Sequence, residues 1–227
     1  ERYDSDGASW SASDAASYIV DDLTQFSDRD EQLAQVYAEL DTLGGRLQHR
    51  LSLERTDFDR SFNGGTPTET KTEAAKYLLS FGLDGQRADQ ANHLLNAMLE
   101  WEEDSSSSNP AFARETNSIA LEYRGSFANG LDLQLGVRHD NNSVFDDATS
   151  WTASASYTFA GSGVRLHSSA GTGIVNPSYF ELFANSTFGS TTYLGNPNLQ
   201  PEENRSFDFG IEVPFLQGRG LVDVTYF

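Results

Sequence analysis

The stretch Arg46-Leu47-Gln48-His49-Arg50-Leu51-Ser52-Leu53-Glu54 alternates in character with a period of two residues. Three leucines and a histidine occupy every second position, and charged or polar side chains occupy the positions between them. Successive side chains of a β-strand point to opposite faces of a sheet. The stretch therefore predicts a strand with one apolar and one polar face.

The same alternation recurs in six further stretches of the chain. They lie at residues 75–83, 95–101, 119–123, 131–137, 151–159 and 207–213. With weaker signals included, we expect about eleven strands, of which the first, near residues 10–20, is the least regular. The pattern predicts an all-β fold with an antiparallel, up-and-down order of strands.

Short and long connections alternate between these strands. The short ones lie near residues 44–45, 84–90, 127–130, 161–163 and 217–220, and the long ones at 21–30, 61–70, 104–114, 139–150 and 174–204. Tight turns on one side and longer loops on the other are typical of an outer-membrane β-barrel. Strands of about 10–14 residues also suit a tilted membrane crossing. Aromatic residues near strand ends fit interfacial girdles, at Trp101, Tyr123, Trp151, Tyr157, Phe159 and Phe207.

Composition excludes several other classes of protein. The formal net charge of -19 repels nucleic-acid phosphates, so we expect no nucleic-acid partner. The chain has no cysteine, which excludes a disulfide framework and a thiolate metal site. The mean hydropathy is -0.50, and no apolar run approaches the ~18 residues that a membrane helix needs. Barrel strands remain compatible with these values, because alternation hides their apolar residues.

The two ends of the chain predict a segment of a longer barrel. The start, Glu1-Arg2-Tyr3-Asp4, lacks the basic and apolar regions of a signal peptide, so either the protein is not exported or its beginning is missing. Eleven is an odd number of strands, whereas bacterial single-chain barrels usually have an even number. Both edges of the sheet would also be unpaired, which lipid does not tolerate. We expect the chain alone to aggregate in water.

A second informative region runs from Arg165 to Gly210. A strand ending in Gly171-Thr172-Gly173 leads to Pro177 and the turn Phe180-Glu181-Leu182-Phe183. After a variable loop, Gly195-Asn196-Pro197-Asn198-Leu199-Gln200-Pro201-Glu202 enters the next strand. The prolines fix φ and lack backbone donors, so this segment is extended and stays outside a central ladder. We expect it mainly to fasten a loop to the barrel rim, with Glu202 accepting hydrogen bonds from loop amides.

In this order, these elements resemble the barrel of TonB-dependent receptors, closest to the cobalamin-receptor-like branch. Residues 136–140 and 146–151 resemble the strands and loop that precede them in that family. The resemblance implies a barrel of about 22 strands with a plug in its lumen, in the bacterial outer membrane. Residues 1–227 would then be a partial barrel, with the plug domain, the TonB box and the remaining strands absent from the chain.

The resemblance also implies a function. It implies high-affinity uptake of a scarce metal chelate of the siderophore or cobalamin class, by binding and gating, with no enzymatic step and no cofactor. The implied partners are the chelate, outer-membrane lipid, and the TonB complex, which would be reached through the missing N-terminal part. The candidate ligand-contacting residues in the long loop are Tyr179, Phe180, Phe183, Tyr193, Asn196, Asn198 and Glu202.

For the other polar residues, a structural role is the first interpretation, ahead of a metal-binding or catalytic role. A hydrated lumen wall is expected from Arg46, Arg50, Lys76, Glu100, Glu102, Arg138, Arg165, Asp208 and Glu212. Asp140, Asp146 and Asp147 offer oxygen ligands for a hard cation such as Ca²⁺, although such loops are usually only solvated. The four histidines, His49, His93, His139 and His167, show no metal-binding spacing. His139 and Asp140 are adjacent on a strand and would point apart.

Three alternatives to gated import stay open. A passive porin-like channel would have no plug and no TonB box. An outer-membrane hydrolase would need a histidine, a carboxylate and a serine that converge at the loop face. A soluble β-protein would not need detergent.

Overall fold

The computed structural model describes residues 3–9, 20–62, 64–107, 113–183, 185–188 and 191–227. Within these residues, eleven strands form one sheet whose order follows the chain, and two further strands pair separately. The described strand pairs are antiparallel. The predicted all-β, up-and-down antiparallel fold is therefore confirmed.

The elements are named here in chain order. The sheet contains β1 (Tyr3–Ser9), β2 (Val20–Thr42), β3 (Leu47–Phe62), β4 (Thr68–Gly82), β5 (His93–Ser106), β6 (Ala113–Ser126), β7 (Leu131–Asn142), β8 (Ala148–Thr158), β9 (Arg165–Val175), β12 (Glu202–Phe215) and β13 (Gly220–Tyr226). A short helix, α1 (Tyr179–Phe183), and the hairpin β10 (Asn185–Phe188) and β11 (Thr191–Leu194) lie between β9 and β12. No helix in the described part of the chain is long and apolar enough to cross a membrane.

The chain divides into two compact units. The first comprises Glu1–Ala38, Leu51–Lys76 and Glu100–Thr116, and the second comprises Glu39–Arg50, Tyr77–Leu99 and Asn117–Phe227. The first contains one end of each strand from β2 to β6, and the second contains the other ends together with β7 to β13.

Register in the second unit places like side chains opposite each other. Between β7 and β8, the apolar pairs are Leu133 with Ala155, Leu135 with Ala153 and Val137 with Trp151. The pairs between them are polar: Asp132 with Ser156, Gln134 with Ser154 and Arg138 with Ser150. Cross-strand pairs of the same character stabilise a sheet and resist a shift of one residue, because such a shift would turn every apolar side chain to the other face.

Several strand ends differ from the sequence prediction. The long loop predicted at residues 21–30 is wrong, because those residues belong to β2 and pair with β1, from Tyr3 opposite Arg29 to Ser9 opposite Val20. The first strand predicted near residues 10–20 falls outside the described residues except at Val20, where β2 begins. The predicted loops at 61–70, 104–114 and 139–150 are shortened by strands that run further, so the short and long rhythm is weaker than expected.

Ion pairs lie where β3 and β4 of the first unit continue beyond the apolar residues of one face. Arg55 on β3 contacts Asp57 at 2.7 Å and Glu73 on β4 at 3.5 Å, and Lys71 contacts Glu73 at 2.7 Å. These residues continue the series of Leu53 and Ala75 along the same faces. The Arg55–Glu73 pair crosses the two strands, so a pair of opposite charges follows the apolar residues on this face of the ladder.

Burial is inverted relative to a soluble protein. Ser52 on the polar face of β3 is 5% exposed, while its neighbours Leu51 and Leu53 on the other face are 48% and 54% exposed. Ser118 and Ser156 are likewise buried, whereas Leu135, Trp151 and Phe207 and many other large apolar side chains are exposed. Exposed apolar area on this scale marks a surface that contacts something other than water.

A first prediction concerns the turn between β6 and β7. Gly130 and Gly161 both have positive φ, +88° and +92°, a conformation that costs other residues about 1–3 kcal/mol. A Cβ at Gly130 would also lie 2.5 Å from the carbonyl oxygen of Thr158, whereas one at Gly161 would meet nothing within 4 Å. We therefore expect Gly130→Ala to lower the melting temperature in detergent more than Gly161→Ala. The melting is followed by circular dichroism. Equal decreases in melting temperature in the two variants would contradict this expectation.

Candidate functional site

The long loop of residues 176–201 leaves and rejoins the sheet at one point. Its flanking residues, Val175 at the end of β9 and Glu202 at the start of β12, are direct register partners. The loop carries α1, the β10–β11 hairpin and the Gly-Asn-Pro segment in that order. It is the longest of the described connections, as the sequence predicted.

A reciprocal capping arrangement begins α1. The Glu181 carboxylate accepts hydrogen bonds from the Ser178 hydroxyl and the Ser178 backbone N–H, each at 2.7 Å. The Glu181 N–H in turn donates to Ser178 Oγ at 3.4 Å. This is the Ser-x-x-Glu capping box, which satisfies donors that the first turn of a helix leaves unpaired. The hydrogen bonds from the Ser178 hydroxyl and amide hold the pKa of Glu181 below its ordinary value.

The Gly-Asn-Pro segment is fastened to this helix. The backbone N–H of Asn196 donates to the carbonyl oxygen of Glu181 at 2.8 Å. The side-chain oxygen of Asn196 accepts from the N–H of Asn198 at 3.0 Å, which closes a local turn. Leu182, on the same helix, is only 2% exposed. These contacts tie the segment to α1 within the loop, and fastening of the loop to the barrel rim stays a prediction.

The structure places the predicted ligand-contacting residues in this loop region. Phe183 and Tyr193 are exposed large aromatic residues, and Asn196, Asn198 and Glu202 are also exposed. The backbones of Tyr179 and Phe180 lie in α1, and their side chains fall outside the described part. Exposed aromatic and amide groups at a loop surface are suited to ligand contact, and contact by these seven residues stays a prediction.

The polar faces of the strands carry networks of paired charges. In the first unit, Lys76 contacts Glu100 at 2.5 Å, and Asp104 accepts from Thr72 at 2.7 Å and from Arg114 at 3.1 Å. The second unit has Arg50 with Glu39 at 3.0 Å, Arg138 with Asp140 at 2.7 Å, Arg165 with Glu212 at 2.6 Å and Asp208 with Ser169. The lumen-wall residues expected from the sequence thus include many ion-pair partners.

The candidate cation residues Asp140, Asp146 and Asp147 do not form one ligand cluster. Asp140 accepts from Ser118 at 2.6 Å and from Arg138 at 2.7 Å. The Asp147 carboxylate accepts from the Asn141 side chain at 3.0 and 3.1 Å. Ca²⁺ takes six to eight oxygen ligands, and the structure does not bring these three carboxylates together in one group. The Ca²⁺ hypothesis at these residues stays a prediction.

The histidines occupy different surroundings. His139 Nδ1 lies 2.9 Å from Thr149 Oγ1, while Asp140 bonds to Arg138 and Ser118, so this adjacent pair diverges as expected. His167 has a different neighbourhood, because Glu212 and Asp223 approach it from two other strands. Sequence reasoning missed this cluster, since its three residues are far apart in the chain and show no motif.

The match to a family model covers almost the whole chain. A model described as "TonB dependent receptor-like, beta-barrel" matches residues 2–227. The strand order, the exposed apolar faces and the Gly-Asn-Pro segment that enters β12 all lie within the matched range.

Solved structures share the fold at low sequence identity. The siderophore receptor PirA from Pseudomonas aeruginosa gives a TM-score of 0.71 at 16% identity, covering 89% of this chain and 39% of that chain. The Serratia marcescens hemophore receptor HasR, solved with its hemophore HasA and heme, gives 0.67 at 19%, covering 89% and 39%. The copper transporter OprC gives 0.62 at 12%, covering 85% and 38%. The chain thus spans less than half the length of each of these structures.

A second prediction tests the capping box. Loss of an N-cap side chain costs about 1 kcal/mol, so we expect Ser178→Ala to speed amide exchange at Leu182 and Asn196 about fivefold. Amides of β7 and β8, which do not contact the cap, should exchange as in the unaltered protein. Unchanged exchange at both loop positions would show that the box does not hold the loop.

A third prediction follows from the lowered pKa of Glu181. A carboxyl whose folded pKa is depressed contributes stability above its unfolded pKa, here the ordinary value 4.5, and loses it as the pH falls through the folded pKa. We therefore expect loop protection, corrected for intrinsic exchange rates, to fall below about pH 4.5. Glu181→Gln should weaken this pH dependence, and the exposed control Glu202→Gln should retain it. The same pH dependence in both variants would contradict the assignment.

Proposed function

We propose, from the premise that this chain belongs to the TonB-dependent receptor-like β-barrel family, that it forms part of the wall of an outer-membrane receptor that imports a scarce metal-containing nutrient. The observation that carries the membrane part of the proposal is the inverted burial of the strands. The leucine faces of β3 and β7 are exposed, while Ser52, Ser118 and Ser156 on polar faces are covered. Lipid would cover the apolar faces, and the polar faces would line the lumen.

Aromatic residues in the second unit support a membrane boundary. Near the short turns, Tyr157 and Phe159 meet edge to face with ring centroids 4.9 Å apart, and His93 Nδ1 lies 2.8 Å from the Tyr123 hydroxyl. Trp151 lies toward the other end of β8, which places it about 20 Å from Tyr157 at ~3.3 Å per residue. This spacing suits two girdles around an apolar band about 25 Å tall.

The proposed action is binding followed by gating. The loop of residues 176–201 would help to capture the nutrient, and a plug held against the polar faces would be displaced by the TonB complex in the periplasm. Among proteins with this fold, PirA is a siderophore receptor, HasR a hemophore receptor and OprC a copper transporter. We propose the siderophore class of metal chelate as cargo, with cobalamin as the second candidate.

The cobalamin-receptor-like branch stays part of this proposal. It is supported by the Gly195-Asn196-Pro197 segment and by the prolines that follow it. The hydrogen bond from the Asn196 N–H to the Glu181 carbonyl ties that segment to α1.

A passive porin-like channel is the alternative. The same wall would serve it, since hydrated charged faces also line diffusion pores. The alternative requires an open lumen, so the purified protein would conduct ions continuously in a planar bilayer. A plugged receptor would stay closed under the same conditions.

A fourth prediction tests which face contacts lipid. Because the chain contains no cysteine, Ala155→Cys and Ser154→Cys introduce labelling sites on the apolar and polar faces of β8 with little change in side-chain size. With a bimane label, we expect brominated lipids to quench fluorescence at position 155 and to leave position 154 nearly unaffected. Equal or reversed quenching would contradict the proposed orientation.

A fifth prediction tests import by the whole receptor. Cells without other receptors for the nutrient should accumulate ⁵⁵Fe-labelled siderophore, or ⁵⁷Co-labelled cobalamin, only when they produce both this protein and TonB. Deletion of the β10–β11 hairpin should reduce uptake more than it reduces the amount of folded protein. Uptake without TonB, together with continuous conductance, would favour the passive channel.

A further inference from the structure

Three metal-ligating side chains meet on the polar face of β9, β12 and β13. His167 lies opposite Gly210, and Glu212 lies opposite Asp223 in the register of these strands. The ligand atoms of His167, Glu212 and Asp223 all lie within 4.8 Å of one another, and His167 Nε2 is 3.4 Å from an Asp223 oxygen. Three consecutive strands of the sheet thus contribute one ligand each.

Gly210 creates the space that allows this approach. A Cβ at this position would lie 2.3 Å from Cε1 and 2.4 Å from Nε2 of His167, and 2.7 Å from the hydroxyl of Thr225. The imidazole therefore lies directly over the glycine on β12 and reaches toward β13. A side chain at position 210 would displace the ring from this position.

We propose that His167, Glu212 and Asp223 bind one divalent first-row transition-metal ion. Zn²⁺ represents this class of ion in the argument and in the test below. One imidazole nitrogen and two carboxylate oxygens are ligands that such ions accept, at about 2.0–2.2 Å. Those bond lengths place tetrahedral ligands about 3.3 Å apart, close to the distance between His167 and Asp223. Ca²⁺ and Mg²⁺ prefer sets of oxygen ligands and fit this site less well.

The neighbouring groups are compatible with a bound cation. Arg165 Nη1 contacts one oxygen of Glu212 at 2.6 Å, and a carboxylate has a second oxygen to offer an ion. Thr225 donates to Asp223 at 3.2 Å and so orients it. Two carboxylates and one guanidinium leave a local charge of about -1 when the imidazole is neutral, which still attracts a divalent ion.

The site is open to solvent on the polar face. His167 and Arg165 also line a hollow of about 540 Å³, and the Asp223 side chain is 47% exposed. An ion can therefore enter from this face, and water would complete its coordination. The proposal does not depend on the transported nutrient, because the cluster lies at the short-turn end of β12, away from the loop at Glu202.

Zn²⁺ titration of the complete detergent-solubilised receptor, stripped of metal by a chelator, tests the site. We expect His167→Ala to bind one equivalent of Zn²⁺ fewer than the unaltered protein, as measured by calorimetry. His139→Ala, which removes a histidine bound to Thr149, should bind as many equivalents as the unaltered protein. In the unaltered protein, Co²⁺ should give a visible absorption band that His167→Ala lacks.

Variants at two glycines distinguish a change in ligand geometry from a loss of the fold. Gly210→Ala displaces the imidazole and should weaken Zn²⁺ binding at least about tenfold. Gly173→Ala is the matched control on β9, because a Cβ there meets nothing within 4 Å. If His167→Ala fails to fold, Asp223→Asn replaces it with the same expectation. Unchanged Zn²⁺ binding in a folded variant of His167, Asp223 or Gly210 would overturn the proposed site. Displacement of Zn²⁺ by an equal concentration of Ca²⁺ would overturn the proposed preference for a transition-metal ion.

Discussion

The two-residue alternation of side chains within a hydrogen-bonded ladder is the constraint on which the rest of the structure depends. A register shift of one residue would turn the apolar series of a strand from one face to the other. Because β7 and β8 keep their register, Leu135 lies opposite Ala153 on the apolar face, and Ser156 lies opposite Asp132 on the polar face. The same register brings His167 to Asp223 across an intervening strand.

Strands whose alternation is complete could be predicted from the sequence, because the signal is local. β7, β8 and β12 are of this kind. The start of β2 could not be predicted, because its polar residues 21–30 become a strand only by pairing with β1. The continuation of β3 past Leu53 likewise has no apolar alternation on that face, where Arg55 instead contacts Glu73 of the next strand. Pairings between distant parts of the chain decide these boundaries.

Some features of the candidate site could likewise be predicted from a local motif, and others could not. The position of the long loop and its Gly-Asn-Pro segment follows from a local motif, and the Ser178-x-x-Glu181 spacing is a helix-start signal that the sequence offers directly. The hydrogen bond from Asn196 to Glu181 needs the folded loop. The cluster of His167, Glu212 and Asp223 has no spacing signature, since its geometry comes from the register of three strands and from the missing side chain of Gly210.

The direct pairing of Val175 with Glu202 has an evolutionary consequence. Opposed residues of an antiparallel pair lie about 4.5–5.5 Å apart at their Cα atoms, whatever chain connects them. Insertions, deletions or replacement of residues 176–201 therefore leave the geometry of β9 and β12 unchanged, and the entropic cost of closing a longer loop rises only slowly. Recombination or rapid divergence can therefore exchange this loop while β9 and β12 keep their positions in the sheet.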